Sequence, residues 1–249
     1  MANKWFRIPV LLAYIIASSC SIVKENRDAC PCNLEVEISG VKETPATLLV
    51  KSLRDSSYVQ LLSVSCDTIL TLFVPRGGVS LSAWCGSTDS ESIIIPHGSE
   101  APPLYLYHGK VEAAGELAYA DVKLRKQFCT VFLEIEGPPG WGPPIGTAVR
   151  GSACGMSLNG GILQGDFSCS LTDSLRLPRQ HPDSQLLLDI VMADNVIRTF
   201  SLGALLQKSG YDWTAPDLED VTVRLDLSVS AITFTTPEQS EPAVLTIDI

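Results

Sequence analysis

Short runs in which apolar and polar residues alternate recur along the sequence, and turns that contain Pro or Gly separate them. Leu34, Val36 and Ile38 alternate with polar neighbours, and the run from Val79 to Cys85 repeats the pattern. A period of two puts alternate side chains on one face, which is typical of half-buried β-strands. Because similar runs continue to Ile249, the pattern predicts an all-β fold.

One segment departs from this period and has the signals of a short helix. Ser201 is a favoured residue type just before a helix, and Leu205 and Leu206 supply apolar side chains. Gly210 suits the left-handed residue that ends a helix. We therefore expect one short helix within the β-rich sequence.

The length and the many short strands favour two domains. A chain of 249 residues approaches the upper size of a single domain. Short strands separated by turns are typical of β-sandwiches. We expect an N-terminal β-sandwich over 34–120 and a C-terminal β-sandwich over 121–249. The Pro- and Gly-rich loop at 137–144 is the alternative boundary.

The N-terminus has the three parts of a secretory signal. Lys4 and Arg7 form a basic region, an apolar run follows over 8–17, and Ser19 ends a stretch of small residues. The apolar run is too short to span a bilayer, which needs about 20 apolar residues. The sequence therefore predicts a signal peptide over residues 1–19.

Cys20 follows the small residues directly and resembles the acylated first residue of mature bacterial lipoproteins. We predict that Cys20 carries a covalent lipid and that residues 20–33 form a flexible polar tether. Each buried CH₂ contributes about 0.8 kcal/mol to membrane binding, so attached acyl chains would anchor the protein firmly. The alternative is an ordinary signal peptide followed by a chance cysteine.

The acidic composition excludes some partners. The formal net charge is −10, and loss of residues 1–19 would remove two basic side chains. Nucleic-acid binding and adsorption to anionic lipid both favour a basic surface. We therefore expect no nucleic-acid partner, and we expect lipid rather than charge to attach the protein to a membrane.

The cysteines indicate possible disulfide bonds, because exported proteins meet an oxidising environment. Of eight cysteines, Cys154 and Cys169 flank one hairpin-like segment, and Cys66 and Cys85 flank another. Either pair is a candidate disulfide, and the sequence leaves the connectivity open. No paired ligands have the spacing of a metal site, so we expect no metal.

The sequence lacks the motifs of common catalytic sites. Its three histidines, His97, His108 and His181, are far apart in loop-like contexts. No Gly-x-Ser-x-Gly elbow, phosphate-binding loop or dinucleotide fingerprint is present in the sequence. We therefore predict that the protein is not an enzyme and has neither a cofactor nor a small-molecule substrate.

Several large aromatic residues offer a different function. Stacking on a sugar ring would suit a glycan-binding platform, whereas packing in the core is the more common role of such residues. The candidates are Trp84, Tyr105, Tyr107, Trp141 and Trp213. A surface glycan-binding lipoprotein is therefore the alternative function.

Motifs spread along the mature sequence resemble those of one known family. Together they resemble the FimB/Mfa-type fimbrial anchor lipoproteins of Bacteroidales, and the charged run over 24–28 resembles a surface-export signal of Bacteroidetes lipoproteins. The motifs are Cys20, Cys30-Pro31-Cys32 with Leu34-Glu35-Val36, Val79–Gly86, Leu104–Gly109, Val122–Lys126, Ser201–Gly203, Gly210–Trp213 and Asp217–Val221.

The resemblance implies two tandem transthyretin-like β-sandwiches and a place at the base of a fimbrium. It implies fimbrial stalk subunits as partners and lipid anchorage in the outer membrane, with the body exposed at the cell surface. In this family stalk subunits polymerise by strand exchange. The C-terminal strand of one subunit fills a groove that opens in the next when an N-terminal strand is cut away. An anchor that keeps its lipid would keep its N-terminal strand and would end the fibre at the membrane.

The C-terminal segment has the pattern of a strand that could be exchanged. Pro242 follows a polar run, and the alternating residues after it can add main-chain hydrogen bonds to a partner's open edge. The alternative is that this strand completes its own sheet. The donor-strand candidates are Ala243, Val244, Leu245, Thr246, Ile247, Asp248 and Ile249.

Overall fold

A computed structural model describes residues 30–40, 45–86, 92–137, 140, 144–193, 195–238 and 241–246. Strands dominate these residues, and a single short helix accompanies them. The prediction of an all-β fold is therefore confirmed. The predicted signal peptide, Cys20 and most of the predicted tether lie outside the described residues. No helix in the described ranges combines the length and apolar character required to cross a membrane.

The first half of the fold consists of two sheets packed face to face. One has the strand order β4-β1-β8, and the other has the order β3-β2-β5-β7-β9. The strands in chain order are β1 (Cys32–Ser39), β2 (Ala46–Ser52), β3 (Val59–Val64), β4 (Thr68–Val74), β5 (Gly77–Cys85), β6 (Ser92–Ile94), β7 (Tyr105–Ala113), β8 (Leu117–Lys123) and β9 (Arg125–Lys126).

The second half repeats this plan with orders β13-β10-β16-β17-β18 and β12-β11-β14-β15. Its elements are β10 (Phe128–Glu136), β11 (Gly146–Ser157), β12 (Ile162–Ser170), β13 (Ser174–Pro178), β14 (Leu186–Val191), β15 (Ile197–Phe200), α1 (Leu202–Lys208), β16 (Val221–Asp226), β17 (Ala231–Thr235) and β18 (Ala243–Thr246).

Each pair of sheets encloses its own apolar core, because alternate side chains of every strand point inward. In the first core, Leu34 and Ile38 of one sheet lie in the same cluster as Leu48 of the other. In the second, Leu188 lies in the same cluster as Phe234. The fold is therefore two tandem β-sandwiches.

The helix forms where the sequence predicts it. Its first turn is closed by the backbone, where Leu205 N–H donates to the Ser201 carbonyl, and the Ser201 side chain makes no capping hydrogen bond. Gly210 follows the helix with φ of 88°, a left-handed conformation that a side chain would disfavour. The predicted stop is therefore confirmed, whereas the predicted side-chain cap is absent.

The two halves are joined by a strand and by a shared apolar cluster. β6, which precedes β7 in the chain, leaves the first sandwich and pairs antiparallel with β11 of the second. Trp84 and Leu106 from the first half pack in one cluster with Met156 and Leu158 from the second. Residues 31–249 accordingly form one compact unit.

The predicted boundary between residues 120 and 121 falls within β8, which continues to Lys123. β9 then pairs with β7, so the sheets of the first sandwich extend to Lys126. The division into two domains that fold independently at this boundary remains a prediction.

Ionic contacts also fix the junction. The Asp217 carboxylate accepts hydrogen bonds from the Arg125 guanidinium at 2.7 Å and from the Lys126 backbone N–H at 2.8 Å. The Asp220 carboxylate accepts from the Lys126 ammonium at 2.7 Å and from the Thr130 backbone N–H at 2.6 Å. These contacts tie β9 and the start of β10 to the segment before β16.

Asp220 makes the stability of this junction pH-dependent. Burial alone would raise the pKa of Asp220, but hydrogen bonds from Lys126 and Thr130 outweigh it and hold the pKa below its usual value. The contribution is therefore present above the unfolded pKa of about 3.9 and is lost as pH falls through the folded pKa. We expect Asp220→Asn to lower the free energy of unfolding by about 1–2 kcal/mol at pH 7. Urea unfolding should show a smaller difference in free energy between the parent and Asp220→Asn at pH 3 than at pH 7. An equal difference at both pH values would contradict the stabilising role of the Asp220 carboxylate.

Candidate strand-exchange site

The C-terminal strand β18 lies at the edge of its sheet. It pairs antiparallel with β17, with Ala243 opposite Phe234 and Thr246 opposite Ala231. On its other side no strand of the described chain pairs with it. An edge strand presents a row of main-chain donors and acceptors to which another chain can add. β18 is thus held on one side only.

The two faces of β18 differ in their exposure to solvent. Ala243 and Leu245 are partly buried and pack against the core of the second sandwich, whereas Val244 is 62% exposed. Full burial of a leucine contributes about 1.5–3 kcal/mol, so partial burial of Leu245 contributes less. β18 therefore has one apolar face, which packs against its own core, and one hydrogen-bonded neighbour, β17.

The N-terminal strand β1 is held differently. It lies between β4, which pairs with it antiparallel, and β8, which pairs with it in parallel. Leu34, Val36 and Ile38 are all 0% exposed. At about 1.5–3 kcal/mol for each of these side chains, β1 contributes a large part of the stability of a typical domain. Loss of β1 would open a deep apolar groove between β4 and β8.

The sequence identified both terminal strands but not their roles in the sheets. The alternation at 34–38 predicts a strand with one buried face, and that prediction is confirmed. Its central position depends on parallel pairing with β8, whose residues lie more than 80 positions away. For the C-terminal strand, Ala243–Thr246 complete their own sheet in this structure, and Ile247, Asp248 and Ile249 lie outside the described residues. Donation to a partner remains a prediction.

The predicted disulfide pairs differ in their placement. No disulfide bond is formed among the described cysteines. Cys169 lies opposite Val149 on β11, and Cys154 is five residues further along that strand, or about 17 Å at 3.4 Å per residue. A disulfide requires Cα atoms within about 7 Å, so the structure does not bring Cys154 and Cys169 together. By contrast, Cys66 packs against the cluster that contains Cys85.

The four candidate aromatic residues that the structure describes do not form an exposed platform. Trp84 is 1% exposed and Trp213 is 5% exposed, so both serve as core residues. Tyr105 and Tyr107 pack partly against the first core. Trp141 lies outside the described residues. Four of the five candidates therefore contribute to packing.

A cleft with several polar residues in its lining lies beside β11. It has a volume of about 350 Å³, and its lining includes His97, Arg150, Asp166 and Gln185. The Arg150 guanidinium donates to the Asp189 carboxylate at 2.6 Å, which orients it toward its own sheet. Phe167 also borders the cleft but is only 2% exposed, so it offers little surface for stacking.

His108 is the histidine whose ring contacts a serine hydroxyl, and that serine is buried. Nδ1 of His108 lies 2.9 Å from Oγ of Ser82, and Ser82 is only 6% exposed. Burial, followed by the charge of Lys110, lowers the pKa of His108. Neither cause of this pKa shift is a carboxylate of the kind that activates a catalytic histidine, and Ser82 is shielded from substrate.

Comparison with known proteins gives matches at the level of structure alone. No family model matches the sequence, and no curated protein matches it. A candidate polysaccharide-binding protein from Bacteroides thetaiotaomicron has a TM-score of 0.64 and 12% identity, over 87% of this chain and 98% of that chain. The fimbrial anchor protein Mfa2 from Porphyromonas gingivalis has a TM-score of 0.55 and 9% identity, over 84% of this chain and 98% of that one.

A candidate adhesin from Bacteroides ovatus has the same overall fold. Its TM-score is 0.58 at 12% identity, over 86% of this chain and 95% of that chain. These alignments extend across both sandwiches, so the tandem arrangement is shared and not only one domain. At such low identity the similarity establishes the fold.

Proposed function

We propose that this protein is a surface lipoprotein that anchors a fimbrium to the outer membrane. A lipid on Cys20 would hold its N-terminus, and its C-terminal strand Ala243–Ile249 would dock into the first stalk subunit. The fold supports this proposal, because a protein of the same fold is a fimbrial anchor. The signal-like N-terminus supports the export that the proposal requires.

The difference between the two terminal strands is the observation that carries the proposal. β1 fills the centre of its sheet with fully buried side chains, so this chain has no open groove there for a neighbour's strand. β18 is an edge strand with one apolar face, so it can be given to a neighbour. A subunit that donates a strand but accepts none would end a fibre, as an anchor must.

The short polar segment between Cys20 and β1 suits this role. About a dozen residues lie between Cys20 and Cys32, and a fully extended segment of that length spans roughly 40 Å. This distance would lift the folded body clear of the lipid headgroups. The acidic charge of the chain would keep the body from adsorbing to an anionic membrane surface.

Replacement of the acylated cysteine tests the anchoring step. We expect fimbrial subunits to co-purify with the native protein from the membrane fraction of intact cells. With Cys20→Ala, protein and fimbriae should appear together in the medium, because no lipid holds them. Fractionation and immunoblotting of both proteins measure the effect.

Cys30→Ala is the matched control for this experiment. Cys30 is an exposed cysteine ten positions downstream, and its replacement leaves the proposed lipid site intact. Retention of the Cys20→Ala protein and its fimbriae at the membrane would contradict the proposal.

Glycan binding is the second candidate, and the polar cleft beside β11 is the observation in its favour. The related fold of a candidate polysaccharide-binding protein also favours it. The buried positions of Trp84, Trp213 and Phe167 weigh against it, because sugar rings usually bind by stacking on exposed aromatic faces. Loss of polysaccharide retention on a gel with Asp166→Ala would support this function instead.

A further inference from the structure

The turn between β3 and β4 holds Cys66 at one end of the first sandwich. The Asp67 backbone N–H donates to the Ile38 carbonyl at 2.7 Å, and Oγ1 of Thr68 donates to the Ser65 carbonyl at 2.6 Å. These bonds fix the turn above the end of β1. The turn also joins the two sheets, because β3 belongs to one and β4 to the other.

Cys85 lies at the same end of the sandwich, at the end of β5. Thr47 pairs with Trp84, which places Ala46 next to Cys85, and Ala46 also pairs with Val64 on the other side. Val64 is two residues before Cys66. Cys85 therefore lies in the last described row of the β3-β2-β5 sheet, and Cys66 follows that row by two residues.

The two side chains point to the same interior. Val64 and Cys85 both belong to the buried cluster of the first sandwich, and Cys66 packs against that cluster.

The electrostatics agree with this proximity. Burial raises the pKa of the Cys85 thiol to about 11, and the charge of Cys66 is the next cause. Cys85 is 3% exposed, whereas Cys66 is partly exposed at the turn. Cys66 is thus the thiol that an external reagent meets first, and Cys85 is the thiol behind it.

We propose that Cys66 and Cys85 form a disulfide bond that ties the corner between the two sheets to the end of β5. The bond requires a disulfide oxidant, which an exported protein meets outside the cytoplasm, and in cells the proposal therefore rests on the proposed export. It would hold the edge strands β3 and β4 to the centre of the sandwich.

The reaction proceeds by thiol–disulfide exchange. The thiolate of Cys66 attacks the oxidant's disulfide, which forms a mixed disulfide and releases one oxidant thiol. The thiolate of Cys85 then attacks the sulfur of Cys66, which forms the protein disulfide and releases the second oxidant thiol. The two protein thiols lose two electrons and two protons, and the oxidant gains them.

Oxidation of the purified full-length protein in detergent tests the geometry independently of localisation. After treatment with oxidised glutathione, remaining thiols are blocked with N-ethylmaleimide, and non-reduced peptides are analysed by mass spectrometry. We expect a cross-linked peptide containing Cys66 and Cys85, with two hydrogen atoms fewer than the separate peptides. Cys154 and Cys169 provide the internal control and should not be linked to each other.

The bond should also change stability. It closes a loop of about 20 residues, so reduction should raise the unfolding equilibrium constant by about a hundredfold. Cys66→Ser should remove this difference between oxidised and reduced protein and still fold, because Cys66 lies at a partly exposed turn. Absence of the Cys66–Cys85 peptide after oxidation of the folded protein would overturn the proposal. A bond that forms in the purified protein but not in cells would instead contradict the proposed export.

Discussion

Replacing Leu245 with Asp is expected to abolish the co-purification of fimbrial subunits, whereas Val244→Asp should leave it intact. Leu245 lies on the face of β18 that packs against a core, and Val244 is 62% exposed on the opposite face. In strand addition the main chain supplies affinity and alternate side chains fill the partner's pockets. A charge on the inward face would have to be desolvated in such a pocket, whereas a charge on the outward face stays in water.

The same two variants separate strand donation from simple folding. β18 is an edge strand, so we expect both variants to fold, with a free energy of unfolding within a few kcal/mol of the parent's. Circular dichroism and urea unfolding measure this, and pull-down from cells that express the stalk subunits measures attachment. If Leu245→Asp unfolds the body, β18 is an integral strand of its own sheet. If it folds and still binds subunits, donation of this strand is wrong.

Val36→Asp is expected to have the largest effect on stability. Val36 is 0% exposed at the centre of β1, where an unpaired carboxylate has no solvent and no partner. We expect a loss of about 3–5 kcal/mol, which is a large part of the total stability of a domain. Urea unfolding monitored by tryptophan fluorescence measures it.

Two further variants make this prediction specific. Leu34→Ala, also in β1, leaves a cavity and should cost about 2–5 kcal/mol while keeping the fold measurable. Glu37 is exposed on the same strand, and Glu37→Gln should change the free energy of unfolding by less than about 0.5 kcal/mol. Equal effects of Val36→Asp and Glu37→Gln would contradict the central position of β1.

Local patterns in the sequence predicted local structure well. The alternation at 34–38 and at 79–85 depends only on neighbouring residues, and both segments are strands with an inward face. Gly210 is a second case, because a glycine after an apolar helical segment is a local signal. All-β class and the presence of two sandwiches followed from many such local signals.

Long-range pairing was not visible in the sequence. Nothing local to Ser92–Ile94 indicates that β6 crosses to pair with β11 of the second sandwich. Cys154 and Cys169 flank a hairpin in sequence, yet the register of β11 and β12 sets them apart. Trp84 lies on the face of β5 opposite to the inward-facing residues, and the alternation predicts that this face is exposed. Trp84 is nevertheless buried, because the second half of the chain covers that face. Each of these features depends on partners distant in sequence.

The position of β1 also decides how the body would respond to a pulling force. Tension from a membrane-attached N-terminus would enter at Cys32 and run along the strand axis. The hydrogen bonds to β4 and β8 lie across that axis, so the load would shear them together instead of peeling them one at a time. If the proposed anchoring holds, such a strand would resist extension better than a terminal edge strand, and the first sandwich would transmit drag on a fibre to the bilayer.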